Sequence, residues 1–483
     1  MKIIINILLV LSLGVLTSCS DSTWNNSPID DNDSAKNTIN ISDPNAWSLA
    51  SVPADPLLFP EASLSNDVAC GKNRALLSWY SVDRLFTQRN SQEAPGYIKN
   101  DMDALSYPYA REISFTEMFP GRELQYGESS VIETLNLSFY PRERGPYNLD
   151  GTNVDQDGYL LYPERRWGGI MRKIDHTNFE QANIEYIQFW LLDPFMDPDL
   201  GNLDGGFLFF NLGEVSEDIL KDGLMSHENG LPVNGSTTYV TNTVWGKVPS
   251  QIVPTYAFNN ANGARLRQDV GLDGLTNQEE FAYPAYANYL NELLAVLPSS
   301  TVVAMQADPF SPFNDPAGDN YTFYLSSFCN VNRFSINDRY KHFNGIDGNS
   351  LTQTDAIDGL YQAARSTPDV EDINQDNMLN EDERFFQYRI AIHPDSLRVG
   401  ENYITDMRVA NVHTRNGQIQ RATWYLFSIP LNDYQKKVGS IQNFSNIRFI
   451  RIFMTGFKGT THLRFATLEL VTDENKTPSQ LAP

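Results

Sequence analysis

Apolar and polar positions along this chain form a pattern that occurs twice. From Asn183 to Leu191 it reads N-I-E-Y-I-Q-F-W-L, and from Asn446 to Met454 N-I-R-F-I-R-I-F-M. The stretches match by residue type: Ile184 with Ile447, Tyr186 with Phe449, Ile187 with Ile450, Trp190 with Phe453. Downstream, Leu208, Phe210, Glu214 and Val215 correspond to Leu463, Phe465, Glu469 and Leu470. Upstream, Leu135, Leu137, Phe139 and Pro141 correspond to Tyr388, Ile390, Ile392 and Pro394. Three echoes in one order at nearly one spacing predict a duplicated β-unit. The expected fold is mainly β: two jelly-roll-like β-sandwich units related by internal duplication, with a mixed α/loop connector. The alternative is one large sandwich whose two sheets look alike.

Within each copy the pattern separates strand types. Ile184 to Leu191 is a short run of β-branched and aromatic residues ended by Asp193-Pro194, as in a strand buried on both faces. Val131 to Phe139 alternates, with Glu133, Asn136 and Ser138 between apolar positions, and predicts a half-exposed strand. Ala75 to Tyr80 and Tyr321 to Phe328 are further strand candidates, and Pro141 to Asn148 reads as a turn cluster. Gly168-Gly169 beside Trp167 marks a bulge or close backbone approach. The period changes to a helical one between Pro284 and Pro298, where Tyr286, Tyr289, Leu290, Leu293, Leu294 and Leu297 share a face. A second helix is expected over Asp355 to Arg365. The resulting division is a first sandwich unit over 45–245, a connector over 246–380, a second unit over 381–473 and a polar tail over 474–483.

The amino terminus reads differently. Lys2, the apolar run Ile3 to Val10 and the close Leu16-Thr17-Ser18-Cys19 resemble a lipoprotein signal, with Cys19 as the lipidated residue. That run is too short for a comfortable bilayer span. Residues 20–44 are polar and read as a tether of roughly 25–30 Å reach. The expected location is the cell envelope, anchored to the outer membrane by lipid alone. Of the three cysteines, Cys70 and Cys329 are left as a disulfide pair or as two buried thiols.

A formal net charge of −24 argues against nucleic acid and anionic membrane surfaces as partners. Part of that charge falls in patterns suited to calcium, a hard cation that takes oxygen ligands from alternate loop positions. In the loop from Asp372 to Glu383, Asp372, Asn374, Asp376, the Met378 carbonyl, Asn380 and Glu383 occupy ligand positions, with Asn377 where a left-handed residue belongs. No Lys or Arg lies between Asp369 and Glu383 to neutralise the run. A weaker loop places Asp269, Asp273, Asn277 and Glu280 in register, with Gly271 at a position that lacks a side chain. Asp155 and Asp157 before Gly158 read as a turn. These ions would be structural Ca2+. H-E-x-x-H, G-x-S-x-G and P-loop patterns are absent, the six histidines are scattered, and no catalytic residues are assigned. Trp167, Trp190 and Trp424 are candidates for sugar contact, with core packing the better reading of each.

The segments N-I-E-Y-I-Q-F-W-L-L-D-P-F (183–195), F-Y-P-R-E-R-G-P-Y-N (139–148), R-W-G-G-I-M-R (166–172), D-V-G-L-D-G-L (269–275), R-Y-K-H-F-N-G-I-D-G-N-S (339–350), V-E-D-I-N-Q-D-N-M-L-N-E-D-E-R (370–384) and F-I-R-I-F-M-T-G-F (449–457) resemble the N-terminal module of the SprA family. Those are gliding-motility and type IX secretion proteins of Bacteroidetes, built around a very large outer-membrane barrel. The resemblance implies a role in protein secretion or surface assembly without enzymatic activity. It also implies partners among outer-membrane secretion components or a separately encoded barrel portion. A chain of 483 residues cannot itself supply that barrel, so translocation is not carried over. The expectation is a free-standing copy of the soluble modules or one piece of a split translocon; the alternative is a surface lipoprotein that binds glycan or peptide on a sandwich face.

Overall fold

The computed structural model describes residues 38–472, apart from 89–90, 125, 128, 252 and 349–366. The signal-type segment with Cys19, most of the tether, the helix expected over Asp355–Arg365 and the polar tail therefore lie outside the described residues. Eight strands build the centre: β1 (Leu135–Arg144), β2 (Trp167–Lys173), β3 (Ile184–Leu192), β4 (Gly206–Glu214), β5 (Arg384–Ile392), β6 (Ile419–Pro430), β7 (Phe449–Thr455) and β8 (Thr461–Thr472). One sheet orders them β6-β3-β8-β1, and the other β5-β4-β7-β2. Ile404–His413 extends the first sheet beyond β6 and Ala75–Tyr80 extends it beyond β1. Lys436–Val438 and Ser48–Leu49 flank the second sheet. The chain is mainly β and forms a sandwich, with the alternating strand order of a jelly roll.

The two echoing halves do not make a sandwich each. β1 to β4 and β5 to β8 alternate within the same two sheets, and each echo swaps sheets. β3 in the first sheet corresponds to β7 in the second, β8 in the first to β4 in the second, and β1 in the first to β5 in the second. A pseudo-twofold relation between two interleaved halves explains the repeat, so the expectation of two separate β-bodies is corrected to one shared body. Sequence periodicity records equivalent positions and says nothing of whether equivalent strands pair with their own half or the other.

The side chains follow this relation. Phe189 of β3 stacks on Phe427 of β6 at 4.7 Å and faces Phe210 of the opposite sheet at 5.7 Å. It therefore lies between the sheets, and its neighbour Trp190 points to the outer face, where the Arg408 guanidinium lies 4.9 Å from its ring. In the second sheet Phe453, the counterpart of Trp190, stacks on Phe209 at 4.6 Å and meets Phe59 edge-on at 5.5 Å. Both central strands are thus buried on two faces. The close approach expected at Gly168-Gly169 is present: a Cβ on Gly169 would come within 2.8 Å of Phe453 Cβ, and one on Gly168 within 2.8 Å of Leu77 Cβ.

Three local expectations differ from the structure. β1 is not half-exposed, because its polar face is covered: Asn136 donates to the Tyr80 carbonyl and Ser138 pairs with His462 Nδ1 at 2.7 Å. β1 also runs through Pro141, where a register shift against Ala75–Leu76 bulges the strand, and the turn begins only at Gly145. Tyr321–Phe328 does not form a strand. Its rings instead pack with a neighbouring short helix, Ile336–Tyr340, through Tyr324 on Tyr340 at 4.8 Å. The Pro284–Val296 helix forms with Tyr286, Tyr289 and Leu293 buried, while Leu294 turns out to solvent at 52% exposure.

Candidate functional site

The connector and the loop after β4 meet through carboxylates that have left water. The Glu371 side chain is fully buried and accepts from the backbone N–H groups of Ile219 (2.6 Å), Leu220 (3.1 Å) and Ser226 (2.9 Å). Glu228 accepts from Val270 (2.9 Å), Gly271 (3.1 Å) and Asp369 (2.7 Å). Glu217 accepts from Ile373 (2.6 Å), Asn374 (3.2 Å) and Asn380 (3.3 Å). Burial opposes ionisation in each case, pushing the Glu217 carboxyl up to about 7 and the other two well above the usual range, while the N–H donors pull the other way. Each acid joins two distant chain segments. No spacing in the sequence singles these three out; the only local sign is an acid set among apolar neighbours, as in Glu214-Val215-Ser216-Glu217.

A second group of acids is arranged differently. Asp273, Glu280 and Asp319 are each fully buried and bring one carboxylate oxygen apiece within 4.8 Å of the others. Asp273 sits in a turn between Gly271 and Gly274, both at positive φ (+72° and +68°), where a side chain would be strained. Its Oδ1 accepts from the Leu275 N–H at 2.9 Å and its Oδ2 from the Tyr286 hydroxyl at 2.6 Å. Glu280 closes the short helix Asn277–Glu280, which Thr276 and Glu279 start with reciprocal capping bonds. Its Oε2 accepts from the Ala317 N–H at 2.8 Å. Asp319 lies in a turn that Asp315 holds by accepting from the N–H groups of Gly318, Asp319 and Asn320. Asp319 Oδ2 accepts from the Tyr147 hydroxyl at 2.9 Å, and that hydroxyl accepts from the Leu272 N–H.

The remaining two oxygens, Glu280 Oε1 and Asp319 Oδ1, are buried with no hydrogen-bond partner. Desolvation raises all three acids, Asp273 to about 7 and the other two well above the usual range, and each of these two is raised further by the other carboxylates. Three desolvated carboxylates at this separation suit a hard divalent cation or a shared proton.

Of the four residues expected in this loop, two reach the cluster. Asp269 is held elsewhere, by Arg265 and by the Gly348 N–H at 2.9 Å. Asn277 donates to the Asn314 carbonyl at 2.9 Å. Asp319 comes from a separate turn that no contiguous loop pattern includes; the sign of it is Asp315-Pro-Ala-Gly-Asp319, a second acid-and-glycine turn.

In the Asp372–Glu383 loop Asn377 adopts the expected left-handed conformation at φ +62°. Asp372 accepts from the N–H groups of Asp376 and Asn377 and from the Tyr256 hydroxyl. Asn374 Oδ1 also accepts from the Asp376 N–H, and Asp376 Oδ1 accepts from the Met378 N–H. Asn380 donates to the Val215 carbonyl at 2.7 Å. Glu383 does not close on the loop, because Arg451 of β7 holds both its oxygens at 2.8 Å. Arg448 pairs with Asp376 at 2.9 Å. The positive charge missing from the local sequence thus arrives from a distant strand.

Asp155 accepts from the N–H groups of Asp157 and Tyr159, forming the expected turn. Trp167, Trp190 and Trp424 are fully buried, so none of them offers a ring to a sugar. Cys70 and Cys329 are both buried and unpaired. Among the described residues no helix is long and apolar enough to cross a membrane. Residues 288–481 match a family model described as a motility related/secretion protein. No curated protein matches the chain.

Proposed function

We propose, from the match of residues 288–481 to the SprA N-terminal family model, that this protein is a non-catalytic binding or assembly component of a motility and secretion apparatus at the cell envelope. One observation carries the reading. The matched segment contains β5 to β8, which alternate with β1 to β4 in both sheets. The family segment cannot be a detachable appendage, so its role belongs to the whole sandwich. The net charge of −24 argues against nucleic acid and anionic lipid and supports protein partners. The partners are outer-membrane secretion components or a separately encoded barrel portion, and attachment is through lipid at Cys19. A calcium ion at Asp372, Asn374 and Asp376, bound without Glu383, is part of the proposal.

The test is affinity capture of the tagged full chain from detergent-solubilised envelopes. Enrichment of outer-membrane secretion or motility subunits over an unrelated lipoprotein is expected. Capture of soluble glycan or peptide instead, with no membrane subunit, would replace this reading with ligand capture on a sandwich face. The burial of all three candidate tryptophans speaks against that second reading.

A further inference from the structure

We propose that Asp273, Glu280 and Asp319 bind one calcium ion, which fastens two connector loops to the loop that follows β1. This goes beyond the assembly reading and does not depend on it.

The contrast among the buried acids carries the inference. Glu217, Glu228 and Glu371 have both oxygens satisfied by backbone N–H groups. Glu280 Oε1 and Asp319 Oδ1 are equally buried, have no donor, and belong to the same cluster. A buried polar atom without a partner calls for a bound species, and two such carboxylate oxygens in one cluster with a third acid suit a cation. The donors are all carboxylate oxygens, which selects a hard metal over zinc or copper. A spread within 4.8 Å fits ligands on a sphere whose radius is the calcium–oxygen distance of about 2.3–2.6 Å.

The surroundings hold the acids in place. The Tyr147 hydroxyl and the Ala317 N–H bind one oxygen each of Asp319 and Glu280 and leave the other oxygen without a donor, while the Tyr286 hydroxyl and the Leu275 N–H fix both oxygens of Asp273. Gly271 gives way to Asp319, since a Cβ there would lie 2.3 Å from Asp319 Oδ2. Burial favours calcium over magnesium, which gives up its waters reluctantly and is rarely enclosed by protein alone. Because Tyr147 also accepts from Leu272, the ion's supports span three separated segments.

The test uses the full chain stripped with chelator and titrated with CaCl2, MgCl2 or TbCl3. Calcium is expected to raise the melting temperature, and magnesium at equal concentration to raise it less. Glu280→Gln and Asp319→Asn should each weaken calcium binding at this site at least tenfold. In chelator their melting temperatures should equal or exceed the wild-type value, because a buried acid has been replaced by a neutral amide. Asp372→Ala should leave this site intact, which separates it from the Asp372 loop. Tyrosine-sensitised terbium emission, lowered by Tyr286→Phe, reads the same site if the charge variants do not fold. Wild-type calcium affinity in both charge variants, or emission unchanged in Tyr286→Phe, would overturn the proposal. An equal response to magnesium would overturn the choice of calcium.

Discussion

A carboxylate that leaves water in this protein is held by whatever donors the fold brings to it. At Glu371 these are three N–H groups from the segment after β4. Glu371→Ala strands all three in a buried site, and a loss of roughly 3–5 kcal/mol is expected in urea denaturation. The buried histidines set an acid limit. Burial pushes the His462 imidazole down to about 4, beside Ser138 at 2.7 Å, while in the unfolded chain it titrates near 6.5. The unfolded state then binds more protons between those values. The stability this neutral ring supports is present above about 6.5 and falls as pH drops toward 4, by at most about 1.4 kcal/mol per pH unit. His462→Asn should flatten that slope, measured as the difference in unfolding free energy between pH 7 and pH 5. Little of this was legible in advance. Asp273 and Glu280 were readable because they lie in one loop, whereas Asp319 and the arginines that hold Glu383 and Asp376 approach from elsewhere in the chain. Spacing rules reach only as far as a contiguous segment.

Secondary structure was easier to read where a run of residues serves a single neighbour. The Pro284–Val296 helix begins and ends at its prolines, and its buried stripe is narrower than its apolar one. Leu293 is buried and Leu294 is half exposed. Leu293→Ala should cost about 2–5 kcal/mol and Leu294→Ala under about 1 kcal/mol in thermal or urea denaturation. Similar losses at both positions would mean that the helix packs another face. The reading of β1 shows the converse. Asn136 and Ser138 alternate with apolar residues as a solvent-facing strand would, but a further layer containing Tyr80, Asn337 and Tyr340 lies over them. Alternation reports polarity, and polarity is compatible with burial once hydrogen bonds are supplied. Tyr321–Phe328 has the composition of a strand because its rings fill a small aromatic core around Tyr340. Composition alone does not distinguish the two uses.

For the molecule as a whole, the repeat in the sequence was a correct sign of a β-sandwich and an incomplete guide to its connectivity. Each sheet takes β-strands from both halves of the chain, so neither half has a complete hydrophobic face. Fragments 38–245 and 381–472 made separately should lack cooperative unfolding and dispersed NMR spectra, whereas two self-contained units would each give both. The position of β8 has a further consequence. This strand sits between β3 and β1, and it is nearly the last described part of the chain to be made. Until Thr461–Thr472 has been synthesised, the gap in the first sheet stays open, with Phe189 and Leu137 lacking their eventual neighbour. Nascent chains of this protein must therefore remain pliable until that strand has emerged, a state in which they can be threaded through a narrow pore or seized by a holding factor.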